Sequence, residues 1–155
     1  MAHELGLRST ATLVYGHGDG PSDWVRELGL VREMFDRTEG FIDFVPLPFS
    51  HAGAPAPSVD ATKPAIRDSR AVHALSRVML HGRISTIGTS LRGLGVADAQ
   101  LMLQSGASDL GRTAIEETIA RSTGSHHGLA WTPAEMRSMA GAIGRPAQEL
   151  SLIHI

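Results

Sequence analysis

His17 and Asp19 stand two residues apart at the end of an apolar run, a spacing that lets an imidazole and a carboxylate act as an acid–base pair. They sit in Tyr15-Gly16-His17-Gly18-Asp19-Gly20, where the same pair could equally form a polar turn among glycines. Asp109, in Ser108-Asp109, could orient a substrate or close an Asx-type turn with Gly111 and Thr113. The remaining strand-end groups are Pro46, Pro48 and Phe49 of Pro46-Leu47-Pro48-Phe49, and the hydroxyls of Thr89 and Ser90. His81 precedes Gly82, where an imidazolium would complement a helix C-terminus. His126-His127 has no carboxylate at ligand spacing, His73 reads as a surface or packing residue on a helix flank, and no metal site is expected.

These groups need a scaffold that brings them to one side, and the chain alternates short β-like runs with helical patterns, as parallel βαβ units do. Strands are expected over Arg8–Tyr15, Phe41–Val45, Ile84–Thr89 and Ala107–Leu110, the second stopped by Pro46 and Pro48. The first helix should start from Ser22 as N-cap and bury Trp24, Leu28, Val31 and Phe35. A Pro/Ala/Gly-rich loop runs to about Ile66, and a helix from near Asp68 should bury Val72, Leu75 and Met79 before stopping at Gly82. Further helices are expected over Val96–Gln104 and Ala114–Arg121, with Glu116 and Glu117 in a first turn. After Gly124–Trp131, Thr132 as N-cap, Pro133 at N1 and Glu135 at N3 predict a capping box, with Trp131 and Met136 as its hydrophobic staple.

Four consecutive right-handed units curl into part of an open sheet or half of an eight-stranded barrel, whose bare edges would invite a partner. In such a barrel the strand-end motifs face one mouth. The 155 residues, 42% apolar and 19% charged, suit a folded domain. A net charge of −2 without a basic run argues against nucleic acid or an anionic membrane as partner. No apolar run approaches the roughly 18 residues of a membrane span, and the first residues do not read as a signal peptide, so the expected location is cytoplasmic. Cysteine is absent, which removes disulfides, thiolate nucleophiles and iron–sulfur ligation from this chain.

Gly6-Leu7-Arg8-Ser9-Thr10-Ala11-Thr12-Leu13-Val14-Tyr15-Gly16-His17 resembles the fifth-strand segment of the radical S-adenosylmethionine enzymes that build the deazaflavin chromophore, the CofH type of FO synthase. Matches follow in order at Phe44-Val45-Pro46-Leu47-Pro48-Phe49, at Arg70-Ala71-Val72-His73-Ala74-Leu75 leading to His81-Gly82-Arg83-Ile84, and at Gly106-Ala107-Ser108-Asp109-Leu110-Gly111. The resemblance implies an α/β chain forming the C-terminal half, about strands 5 to 8, of a parallel TIM-like radical SAM barrel with C-terminal helices. This half-barrel would occupy 1–148, and 149–155 would be a tail of foreign sequence. The resemblance also implies S-adenosylmethionine and a [4Fe-4S] cluster as cofactors, the latter held by a CxxxCxxC loop in a missing N-terminal half-barrel. L-tyrosine and 5-amino-6-(D-ribitylamino)uracil are the implied substrates, the tyrosine side chain being transferred as a 4-hydroxybenzyl group.

By the same resemblance Tyr15, Gly16, His17 and Asp19 are candidate S-adenosylmethionine contacts. His17 and Asp109 are candidate catalytic groups, and Pro46, Pro48, Phe49, Thr89 and Ser90 candidate substrate contacts. Alternatives are a fragment of a futalosine-pathway menaquinone radical SAM enzyme, which shares Tyr-Gly-His and Pro-Leu-Pro-Phe, or a non-catalytic half-barrel that complements another subunit. A phosphate-binding barrel using Gly93, Gly95, Gly106 and Gly111 is a further reading.

Overall fold

A computed structural model describes residues 2–49, 65–89, 91–111 and 132–150. The expected helix at 114–121, the loop at 124–131, Ser90, the staple residue Trp131 and most of the tail lie outside the described residues. The described part is a mixed α/β structure. Its sheet has three parallel strands in the order β1 (Ser9–Tyr15), β2 (Phe41–Pro48) and β3 (Thr86–Ile87). Sequential parallel order is shared by barrels and by one wing of an open sheet.

Helix α1 (Pro21–Thr38) starts two residues earlier than Ser22 as N-cap would place it, with Gly20 at the cap position. Proline suits the first helical position because that position needs no N–H, and the Asp23 carboxylate accepts from the Gly20 backbone N–H at 3.0 Å. Helix α2 (Ile66–Met79) likewise starts two residues early. The short α3 (Leu91–Leu94) was not anticipated, whereas α4 (Val96–Gln104) has the expected bounds. Helix α5 (Pro133–Gly141) carries its capping box: Thr132 Oγ1 accepts from the Glu135 backbone N–H at 3.2 Å, and the Glu135 carboxylate accepts from the Thr132 N–H at 2.8 Å.

The prolines do not stop β2, contrary to expectation; they divide its two edges. The Phe44 carbonyl accepts from Gly88 on the β3 side, and the Phe49 N–H donates to Tyr15 on the β1 side. Alternation therefore turns the missing donors of Pro46 and Pro48 toward β3, and leaves the β1 edge to pair from Ser9 to Tyr15. The β3 ladder ends after two residues. The expected fourth strand shrinks to one parallel bridge, Gly88 with Asp109.

One sheet face is covered by α1 and α2. Leu13 and Tyr15 of β1, Trp24 and Leu28 of α1, Phe44 of β2 and Val72 of α2 belong to one buried cluster. Leu75 and Met79 are only partly buried, while Ser69, His73 and Ser76 of α2 are buried. Smaller clusters join α3 and α4 through Leu94 and Met102, and α4 to α5 through Ala99 and Met139. The opposite sheet face carries Thr10, Thr12 and Val14, all exposed, beside half-buried Asp43, Val45 and Leu47. Among the described residues no helix is long and apolar enough to cross a membrane.

Phe44 is completely buried and Val78 is 74% exposed, so substitutions there should separate core from surface. Phe44→Ala is expected to cost about 3–5 kcal/mol in urea unfolding. Val78→Ala is expected to stay within about 0.5 kcal/mol.

Candidate functional site

The C-terminal ends of β1, β2 and the β3 bridge lie together at one rim. Beyond β1 the chain turns through Gly16 and Gly18, both at positive φ (88° and 109°), where glycine carries no Cβ penalty. Asp19 closes this turn. Its Oδ1 accepts from the backbone N–H groups of Gly16 at 2.6 Å and His17 at 2.8 Å, and its Oδ2 accepts from Trp24 Nε1. Burial pushes the Asp19 carboxyl up, but the bonds from Trp24 and the loop backbone outweigh it and hold the group below the usual carboxylate value.

His17 lies 3.1 Å through Nδ1 from Asp19 Oδ1, is half exposed, and sets its ring 5.9 Å from that of Phe49. Thus the structure brings together His17, Asp19 and Phe49 from the expected set. Asp19 is committed to shaping the loop, which leaves the His17 ring and the open glycine backbone as the groups able to meet a ligand. No heavy atom lies within 4 Å of where a Gly18 Cβ would stand. A cleft of about 580 Å³ runs from this loop beside β1, lined by Thr12, Val14, His17, Trp24 and Glu27 among others.

Other expected residues point elsewhere. The Tyr15 side chain is fully buried between sheet and helices, with its phenol pushed up by burial and drawn back partly by the Ser69 hydroxyl beside it. Pro46 shares the buried face with Phe44, and Pro48 is half-buried. Thr89 is buried, its N–H donating to the Asp109 carbonyl at 2.8 Å and its hydroxyl unpartnered among the described residues. Asp109 Oδ1 accepts from the Gly111 N–H at 2.5 Å, the Asx-type turn. Gly106, at φ +124°, lets α2 approach: a Cβ there would stand 2.8 Å from the His73 carbonyl oxygen, a packing reason for a glycine that the sequence also offered to phosphate.

Of the two readings of His73, surface or packing, the structure takes packing. His73 is fully buried, with Nδ1 2.8 Å from the Ser69 carbonyl and Nε2 without a hydrogen-bond partner among the described residues. Burial lowers its pKa, so the ring is neutral and Nδ1 is the donor. The signal was available: Ser69, His73 and Ser76 share the helical stripe of Val72.

Residues 38–144 match the family described as the CofH/MqnC C-terminal region. The chain belongs to this family. It is 55% identical over 150 residues to the FO synthase of Mycobacterium tuberculosis (strain ATCC 25618 / H37Rv), covering 96% of this chain and 18% of that protein. The FO synthase of Streptomyces coelicolor is 43% identical over 155 residues, again with 18% of its length covered. A 5-amino-6-(D-ribitylamino)uracil--L-tyrosine 4-hydroxyphenyl transferase from Methanothermobacter thermautotrophicus is 40% identical over 154 residues, covering 97% of this chain and 42% of that protein. The chain therefore spans less than half the length of each of these relatives. Within this CofH/MqnC region, His81-Gly82-Arg83 lies at the opposite end of the sheet from the rim, where Arg83 grips Asp36 of α1 through bonds of 2.6 and 2.9 Å.

Asp19 gives a pH prediction. With its folded pKa depressed, its stabilisation is complete above the unfolded value of about 3.9 and is lost as pH falls through the lower folded value. In a Trp131→Phe background, Trp24 emission should hold steady from about pH 8 to pH 5 and change only below about pH 4. Asp19→Asn, which can turn an amide N–H toward Trp24 Nε1, should cost about 1–3 kcal/mol in urea unfolding. A fluorescence transition centred above pH 5 would contradict the bonding described.

Proposed function

We propose that this chain is the C-terminal wall of a radical SAM transferase that couples the 4-hydroxybenzyl group of L-tyrosine to 5-amino-6-(D-ribitylamino)uracil. The observation that carries this reading is the 40% identity, over 97% of this chain, to a transferase named for those two substrates. The FO synthase relatives support the same choice within a family whose description pairs CofH with MqnC. In this reading β1, β2, β3 and the Asp109 bridge are an arc of the barrel, about strands 5 to 8, and the rim is its mouth. The partner is an N-terminal half-barrel pairing with the bare edge of β1, and the setting is the cytoplasm.

The [4Fe-4S] cluster does not fit this chain. It needs cysteine thiolates and the sequence has none, so its ligands would come from the N-terminal half. S-adenosylmethionine fits better, because the Gly16–Gly18 backbone is open and the His17 ring is exposed beside Phe49. Bound there, it would supply the radical chemistry that the family resemblance implies. The chain's own part is to bind and orient: Asp19 holds the loop, His17 offers a ring nitrogen, and Phe49 gives an apolar surface. Thr89 and Asp109 set the opposite side of the rim.

The test supplies the missing half in trans. This chain, co-expressed with a cysteine-bearing N-terminal segment and reconstituted with iron and sulfide, should convert tyrosine and the aminouracil to the coupled product by mass spectrometry. His17→Ala should weaken S-adenosylmethionine binding by roughly tenfold, the loss of about one hydrogen bond. Turnover of a futalosine-derived substrate in place of tyrosine would move the chain to the menaquinone reading. Failure of the two segments to associate would sink the half-barrel.

A further inference from the structure

The sheet face that the described helices leave uncovered is graded along the strands. In its first row Asp43 stands between Thr10 and Thr86, its register partners on β1 and β3. Two residues nearer the rim come Thr12 and Val45, with Gly88 against the Val45 side chain, and beyond them Val14 and Leu47. Polar groups lie deep and apolar groups lie toward the rim. Rows are about 6.6 Å apart, so roughly 13 Å separates Asp43 from Leu47 along the strand.

Asp43 is out of place as a folding residue. It occupies the central strand of the described parallel sheet, where faces are ordinarily apolar, and its Oδ1 is cut off from solvent without a hydrogen-bond partner among the described residues. A carboxylate oxygen so placed calls for a donor, because a buried acceptor without one is unfavourable. Thr10 and Thr86 offer hydroxyls on either side, and Val14, Val45 and Leu47 form an apolar wall above. This combination suits a ligand with an aromatic body and a hydrogen-bond donor at one end.

We propose that Asp43, flanked by Thr10 and Thr86, receives the donor end of an arylalkyl amine or phenol whose ring lies against Val45, Leu47 and Val14. The inference rests on the barrel reading above, in which this face lines the lumen, and identifies within it the wall that holds the tyrosine-class substrate. Asp43 is a substrate-binding residue there, and no bond is made or broken by it.

The test uses the complex of this chain with its N-terminal segment and the near-isosteric Asp43→Asn. The KM for tyrosine should rise at least about tenfold with a smaller change in kcat, since a charge-assisted bond is lost on binding. S-adenosylmethionine affinity and the KM for the aminouracil should stay within about twofold of the native complex. Calorimetry with tyramine, phenethylamine and 4-hydroxyphenylpropionate then tells amine from phenol: the compound sharing the recognised donor binds the native complex and loses affinity in Asp43→Asn. These binding arms need no turnover, so their success without product would overturn the proposed reaction while keeping the site. An unchanged tyrosine KM would overturn the site. Equal weakening of tyrosine, S-adenosylmethionine and the aminouracil would overturn it too, by showing a merely structural role.

Discussion

The structure turns on two missing N–H groups. Pro46 and Pro48 lie in the central strand with their nitrogens toward β3, so β2 is zipped to β1 along seven residues and held to β3 by a two-residue ladder. By parallel-ladder geometry the next donor to the Gly88 carbonyl would be residue 46, and proline has none to give. Gly88 and His73 are both buried, and the His73 Nε2 has no hydrogen-bond partner among the described residues. The unusual feature of α2 is a buried stripe of Ser69, His73 and Ser76 beside Val72, which packs in one cluster with Phe44 and Ile87.

The same economy appears at the rim. A histidine and a carboxylate two residues apart look like an acid–base pair, yet the carboxylate gathers the Gly16 and His17 N–H groups and the Trp24 indole, and its low pKa follows from those bonds. A carboxylate so fully engaged is a poor proton acceptor near neutral pH. The side chain looking most like chemistry is the one fixing the loop, and the half-exposed imidazole beside Phe49 is what the loop presents.

Much of this was legible in the sequence because it depends on local rules. The bounds of α4, the Thr132–Glu135 capping box and the Asp109–Gly111 turn follow from contacts within a few residues, and the strand–helix alternation from the local hydrophobic pattern. Other features were not. Strand β2 runs through its prolines because only one of its edges needs donors there, a fact about neighbours rather than about proline. Likewise β3 shortened for want of a donor on another strand, and only packing chose between the surface and buried readings of His73.

By itself the sequence determined the kinds of element, their order, the absence of cysteine and the ordered motifs that place the chain in its family. Tertiary structure alone decided which side of each strand meets the helices. That choice buried Tyr15 and Pro46 in the core and left Asp43 with the threonines on the uncovered face. The physical reason is the two-residue period of a strand: alternation sets which residues share a side, but packing against α1 and α2 decides which side loses its water.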